Sequence, residues 1–184
     1  IKLIIISKVL NMKKVLLILL SFFSWMSISL AQEDYTPNAK SAILVDSLSG
    51  KVLYEKNADE KLPPASMTKL ASLLLIMESI DNGTLKFDDM VTISEEAANM
   101  GGSQVFLQAG ESYSVRDLLK SIAIASGNDA VYAMSEKIGG SHEEFVNMLN
   151  KRLKEIGAVN TNFVNAHGLD AEGHYSTARD MSII

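Results

Sequence analysis

The chain has 184 residues, a formal net charge of -5, a pI of about 5.2 and no cysteine. The missing thiols exclude disulfides, cysteine nucleophiles, cysteine-ligated zinc and a lipidated N-terminal cysteine. Mild acidity without a basic stripe speaks against a nucleic-acid partner, and roughly 150 residues beyond any targeting segment suffice for one domain with a core.

The first methionine is Met12, and Lys13 and Lys14 follow it. Val15 to Ile28 is almost wholly apolar, and Ser29-Leu30-Ala31 offers the small residues that a signal peptidase reads. The run is shorter than the ~20 residues that span a bilayer. The pattern therefore predicts upstream residues and a signal peptide over 1–31, cleaved after Ala31, with the domain outside the cytoplasmic membrane. Polar residues 32–40 read as a linker, and 41–184 as the domain that follows it.

Ala42-Ile43-Leu44-Val45 and Lys51-Val52-Leu53-Tyr54 flank Asp46 to Gly50 and predict a β-hairpin. After Pro63-Pro64, Met67, Leu70, Leu74 and Met77 recur at helical spacing, with Ala71, Leu73, Leu75 and Ile76 between them. This predicts a helix opened by Ser66, buried on most sides and closed at Asp81-Asn82-Gly83. Met90 to Ile93 reads as a short strand, Ser94-Glu95-Glu96 as a capped helical piece and Gly101-Gly102-Ser103 as a loop. Ser114 to Asp117 reads as an N-cap for a helix reaching about Ser126. Ser126 to Asp129 interrupts it, and Ala130 to Ile138 resumes. Ser141-His142-Glu143-Glu144 is a capping box for the next helix, which Gly157 closes; His142 is expected on its surface. Asn160 to His174 is a polar loop, and Ser176 to Asp180 starts a helix at the end of the chain.

Lys69 lies one turn beyond Ser66 on the same helical face, which brings an amine within reach of a hydroxyl. That arrangement can activate serine without histidine. A lone Ser-x-x-Lys is a chance-level pattern in a chain this rich in both residues. Ser126-Gly127-Asn128, about sixty residues later, is by itself an ordinary helix–helix turn. Placed between apolar helices of the same core, its hydroxyl and amide can face Ser66 and Lys69 across a cleft.

In that order and spacing, the two motifs resemble the first two of the three motifs of the penicillin-recognising serine enzymes. The chain is most similar to the serine-type D-alanyl-D-alanine carboxypeptidases, from about Ala42 to its end. Leu44-Val45-Asp46, Gly50 to Tyr54, Pro64 to Lys69, Ser114 to Leu119 and Ser126 to Ala130 carry the likeness. So do Phe163-Val164-Asn165, His167-Gly168-Leu169 and Ser176 to Met181. The resemblance implies an α/β (α+β) fold, with an antiparallel sheet beside a helical cluster. It implies Ser66 as the acylated nucleophile, Lys69 as its base and Ser126 as a proton relay. Asn128 would orient the substrate amide or hold Lys69, and the Ser66 N–H would give half of an oxyanion hole. The implied substrates are peptidoglycan stem peptides ending in D-Ala-D-Ala, with β-lactams as acylating partners. No cofactor, metal or nucleic acid is implied, and the location is the periplasm or the outer face of the cytoplasmic membrane.

The third motif of the family, Lys-Thr-Gly, does not occur in the chain. A fragment open at its C-terminus is expected, lacking sheet strands and half of the oxyanion hole, and inactive or unstable alone. Membrane association through the missing C-terminus stays open. Three rivals remain. A Ser-His-Asp hydrolase would use His167 or His174 with Asp170 or Asp180, but no Gly-x-Ser-x-Gly elbow is present. A serine β-lactamase would need a glutamate for deacylation, and Glu155 and Glu172 are the residues to place. A non-catalytic wall-binding domain would keep the fold without the chemistry.

Overall fold

The structure is a computed structural model and describes residues 33–184. The expected start at Met12, the apolar run and the cleavage after Ala31 lie outside the described residues. Residues Asn38–Ile184 form one compact unit. Among the described residues no helix is long and apolar enough to cross a membrane.

Strands β1 (Ala42–Val45) and β2 (Val52–Lys56) pair antiparallel, with Leu44 opposite Tyr54. Asp46 closes their turn by accepting from the Ser49 N–H and hydroxyl, and Gly50 supplies a φ of 70°. A second antiparallel pair joins β3 (Met90–Thr92) to β4 (Ser112–Ser114). Two isolated bridges, Leu62 to Ser176 and Asn162 to Tyr175, draw the last loop towards the segment before Ser66.

The helices are α1 (Thr68–Asp81), α2 (Glu95–Ala98), α3 (Val115–Ala125), α4 (Asn128–Gly139), α5 (His142–Glu155) and α6 (Ala178–Met181). Ser94, Ser114, Ser141 and Thr177 each cap the helix that follows, their hydroxyls accepting from the N–H three residues on. The Ser141 capping box is one-sided, because the Glu144 carboxylate accepts from Asn147. Helix α4 is central and packs against α1, α2, α3, α5 and β3. Its buried face is small, with Ala130, Val131, Ala133 and Ser135, so neighbours approach closely. A Cβ on Gly139 would fall 2.5 Å from the Phe145 nitrogen, which fixes a side-chain-free residue where α4 meets α5. Phe145, Phe163, Ile76, Leu118, Met134 and Leu149 fill the core, and each such burial is worth roughly 1.5–3 kcal/mol.

Three expectations change. Ser66 does not open the α-helix: it lies in a preceding 3-10 turn, Ala65–Met67, and α1 begins at Thr68. Helix α1 is not buried on most sides. Its buried face is Thr68, Lys69, Ala71, Ser72, Leu75, Ile76 and Ser79, whereas Met67 and Leu70 are 50% and 53% exposed. The apolar stripe read from spacing is thus the open side, and the polar residues turn inward because the 160–176 loop offers them carbonyl partners. The strand Ser112–Ser114 was not anticipated, since its last residue also caps α3.

Candidate active site

Ser66 is presented by a strained turn. Ala65 adopts a φ of 49°, a left-handed conformation that costs about 1 kcal/mol or more in a residue with a Cβ. The turn is held from outside. Gly168 has a φ of 92°, and a Cβ there would lie 1.9 Å from the Ala65 carbonyl oxygen and 3.0 Å from Thr68 Oγ1. No other residue type fits that contact without moving backbone, so Gly168 permits the close approach that seats the turn.

Lys69 follows on the first turn of α1 and is 4% exposed. Its Nζ lies 3.3 Å from Ser66 Oγ and donates to the His167 carbonyl at 2.7 Å. Burial lowers its pKa from the ordinary 10.5 to about 8, because an ammonium loses hydration there and no carboxylate compensates. An appreciable fraction of neutral amine at neutral pH is the form a base requires.

The loop that supplies the carbonyl is internally tied. Asn165 accepts from the His167 and Gly168 N–H groups and donates to the Leu169 carbonyl. Ser72 on α1 donates to the Ala166 carbonyl at 2.7 Å. His167 Nδ1 accepts from the Leu169 N–H, so the neutral ring carries its proton on Nε2. Burial first, then His142, Lys69 and His174, lowers the His167 pKa to about 4. His174 Nδ1 accepts from the Val164 N–H, leaving Nε2–H to donate to Thr68 Oγ1 at 2.9 Å.

A cavity of about 310 Å³ opens beside Ser66, lined by Ala65, Ser66, Gly102, Ser103, Asn128, and 167–170. Asn128 is buried, and its side-chain amide donates to the Gly101 carbonyl at 2.7 Å rather than holding Lys69. Ser126 sits at the C-cap of α3 with a φ of 55°. It is half-buried, is not among the residues lining the cavity, and makes no side-chain hydrogen bond to Ser66 or Lys69 among the described residues. The structure thus brings Ser66 and Asn128 to one cavity, with the Lys69 amine behind Ser66 at 3.3 Å and Ser126 two residues before Asn128.

Sequence reasoning did not mark Gly102, Ser103, Leu169 or Asp170 as lining residues; the glycine pair and the His-Gly-Leu segment were the available signals. Nor did it find Asp129, whose buried carboxylate accepts from the Val105 and Leu107 N–H groups at 3.0 and 3.1 Å. Between those two anchors Phe106 has a φ of 60° and is 76% exposed. The expectation of a surface role for His142 is also corrected. Its ring stacks on Tyr132 and His167 and contacts Ser135, because the end of α4 and the start of α5 converge beside the 165–169 loop.

The rival triad is not assembled among the described residues: His167 and Asp170 line the cavity with Ser66, but His167 Nδ1 accepts from the Leu169 N–H rather than meeting a carboxylate. His174 engages Thr68 and Val164, and Asp180 accepts from Asn160 and Thr161. Glu155 pairs with Arg152, and neither it nor Glu172 lines the cavity. Among the described residues no group of three or more His, Asp or Glu is placed to hold a metal.

A serine in the turn before a helix, with a buried lysine on that helix's first turn, in an α+β fold defines a class, and comparison with known proteins agrees with it. The chain belongs to the peptidase S11 family, D-alanyl-D-alanine carboxypeptidase, whose model matches residues 28–184. It is 58% identical over 146 residues to D-alanyl-D-alanine carboxypeptidase DacF of Bacillus subtilis, covering 79% of this chain and 38% of that relative. The crystal structure of the D-alanyl-D-alanine carboxypeptidase DacD from Francisella tularensis superposes with a TM-score of 0.79 at 38% identity, covering 84% of this chain and 39% of that one. Penicillin-binding protein D2 from Listeria monocytogenes in the ampicillin-bound form gives a TM-score of 0.69 at 30% identity, covering 79% and 59%. The chain therefore spans well under half the length of the first two.

Proposed function

We propose that the protein carrying this chain is a serine DD-carboxypeptidase. It removes the terminal D-alanine from peptidoglycan stem peptides through an acyl-enzyme on Ser66, and β-lactams acylate the same hydroxyl. The observation that carries the reading is the buried Lys69 amine held between Ser66 Oγ and the His167 carbonyl.

In the first step neutral Lys69 takes the Ser66 proton as Oγ attacks the carbonyl carbon of the penultimate D-alanine. The Ser66 N–H is one donor to the oxyanion. The C–N bond then breaks, the proton on Lys69 passes to the leaving amine by way of Ser126, which must turn into the cavity to reach it, and D-alanine departs. Asn128 presents its amide to the substrate backbone from the cavity wall. Water attacks the ester in the second step and restores Ser66. Export is part of the proposal and rests on Lys13, Lys14 and the apolar run after them. So does the division into a signal segment, a linker over 32–40 and a partial catalytic domain over 41–184.

The test is acylation of the full-length protein by benzylpenicillin, read as a mass increase mapped to Ser66, together with D-alanine release from a D-Ala-D-Ala peptide. A stable adduct lost in Ser66→Ala is the expected result. Rapid turnover of the β-lactam would mark a β-lactamase, and absence of both adduct and release a binding domain.

A further inference from the structure

Helix α5 begins at His142, in the cap that follows Gly140. Its imidazole is one of three near-parallel rings in series. Tyr132 of α4 stacks on it with centroids 4.4 Å apart at 8°, and His167 stacks on it at 5.7 Å and 21°. The ring is pinned at its edge as well. His142 Nδ1 lies 2.8 Å from Ser135 Oγ, which is also 2.6 Å from the Tyr132 carbonyl. A carbonyl only accepts, so the serine proton goes to Tyr132, and His142 Nδ1–H donates to the serine oxygen. The orientation of the His142 ring is thereby set from α4 on two counts.

His167 is where this column meets the site. Its carbonyl accepts the Lys69 amine at 2.7 Å, and that amine lies 3.3 Å from Ser66 Oγ. We propose that His142 is a positioning residue: its ring, backed by Tyr132 and pinned by Ser135, keeps His167 where its carbonyl aims the Lys69 amine at Ser66. The inference rests on the serine–lysine acyl-transfer reading given above.

The groups that face the column fit this role. They are Tyr132 from α4, Lys69 from α1, and His167 and His174 from the last loop. Burial holds His142, His167 and His174 below the ordinary imidazole value, so the rings are uncharged at neutral pH. An uncharged, stacked column backs the loop whose carbonyl covers Lys69. Loosening it admits water, stabilises the ammonium and raises the amine's pKa from about 8 towards 10.5.

Two substitutions in the full-length protein separate the ring from its hydrogen bond. His142→Phe keeps a flat ring and loses the donor to Ser135; His142→Gln keeps a donor and loses the ring. The readouts are the benzylpenicillin acylation rate constant against its non-covalent binding constant across pH, and the Lys69 amine pKa by NMR. We expect H142Q to slow acylation about tenfold with binding changed less than about twofold, and H142F to stay within about threefold of wild type. The Lys69 pKa and the acid limb of the acylation profile should move up by about one unit in H142Q and hold in H142F. Unchanged acylation and Lys69 pKa in H142Q, or equal losses in both variants, would overturn the proposal. The NMR titration decides it even if wild-type protein forms no adduct, an outcome that would count against the acyl-transfer reading instead.

Discussion

On one side of the cavity the backbone of His167 and Gly168 is pressed into the turn that presents Ser66. On the other, the loop from Gly101 to Leu107 hangs from the Asn128 and Asp129 side chains and from the Asn128 N–H, which donates to the Ser103 carbonyl at 2.7 Å. The first side turns on one main-chain contact, Gly168 against the Ala65 carbonyl, flanked by the Ala166 and His167 carbonyls that accept from the Ser72 and Lys69 side chains. The second has no such steric lock: side chains at the start of α4 and one main-chain bond from Asn128 reach across to it. The difference teaches where tolerance lies. A backbone contact cannot relax by a rotamer change, whereas a loop hung on a carboxylate can be released without disturbing the helices beneath it.

Four changes probe that contrast. Lys69→Met should lower Ser66 acylation in the full-length protein by about 10²–10⁴-fold, the usual worth of a general base, in stopped-flow or mass-based assays. The same variant should unfold at an equal or higher temperature at pH 7. The folded-state pKa of about 8 lies below the ordinary 10.5, so the unfolded chain binds more protons between those values. Wild-type stability gains as pH rises through that window, and the advantage of Lys69→Met should shrink across it. Acylation by wild-type protein should rise as pH passes about 8, since the proposed base is the neutral amine.

Gly168→Ala should cost at least about 3 kcal/mol in denaturant unfolding, because the new Cβ meets main-chain atoms at a positive φ. A loss under about 1 kcal/mol would show that the two backbones are not locked together. Asp129→Asn should cost about 1–3 kcal/mol, by weakening the acceptors for Val105 and Leu107, and should speed proteolysis between residues 101 and 108. Phe106→Gly should change stability by less than about 1 kcal/mol, since the ring is exposed and glycine accepts the left-handed backbone. A large destabilisation there would mean that the rim is packed as firmly as the opposite side.

Much of this was legible before any coordinates. The Ser94, Ser114 and Ser141 caps, the hairpin around Gly50 and the helical periodicities are local signals, and they reappear as elements. Ser66, Lys69 and Asn128 were legible through their motifs. What escaped is what depends on partners far along the chain. The inward face of α1 carries Thr68, Lys69 and Ser72, which read as polar until the carbonyls of 166 and 167 and the ring of His174 are in place. The strand Ser112–Ser114 is short and polar, and only its pairing with Met90–Thr92 makes it one. The left-handed backbone at Ala65 and the ring stacking of His142 carry no composition signature, because each is imposed by a neighbour.

The bond from Lys69 to the His167 carbonyl has a consequence for the movement of charge. A carbonyl oxygen only accepts, so the bond survives whether the amine bears two hydrogens or three. In the proposed reaction the nitrogen gains a proton from Ser66 and gives it up again without its side chain changing place. The reorganisation that a lysine in water would undergo at each transfer is thereby avoided, because the fold has already fixed where the lone pair points.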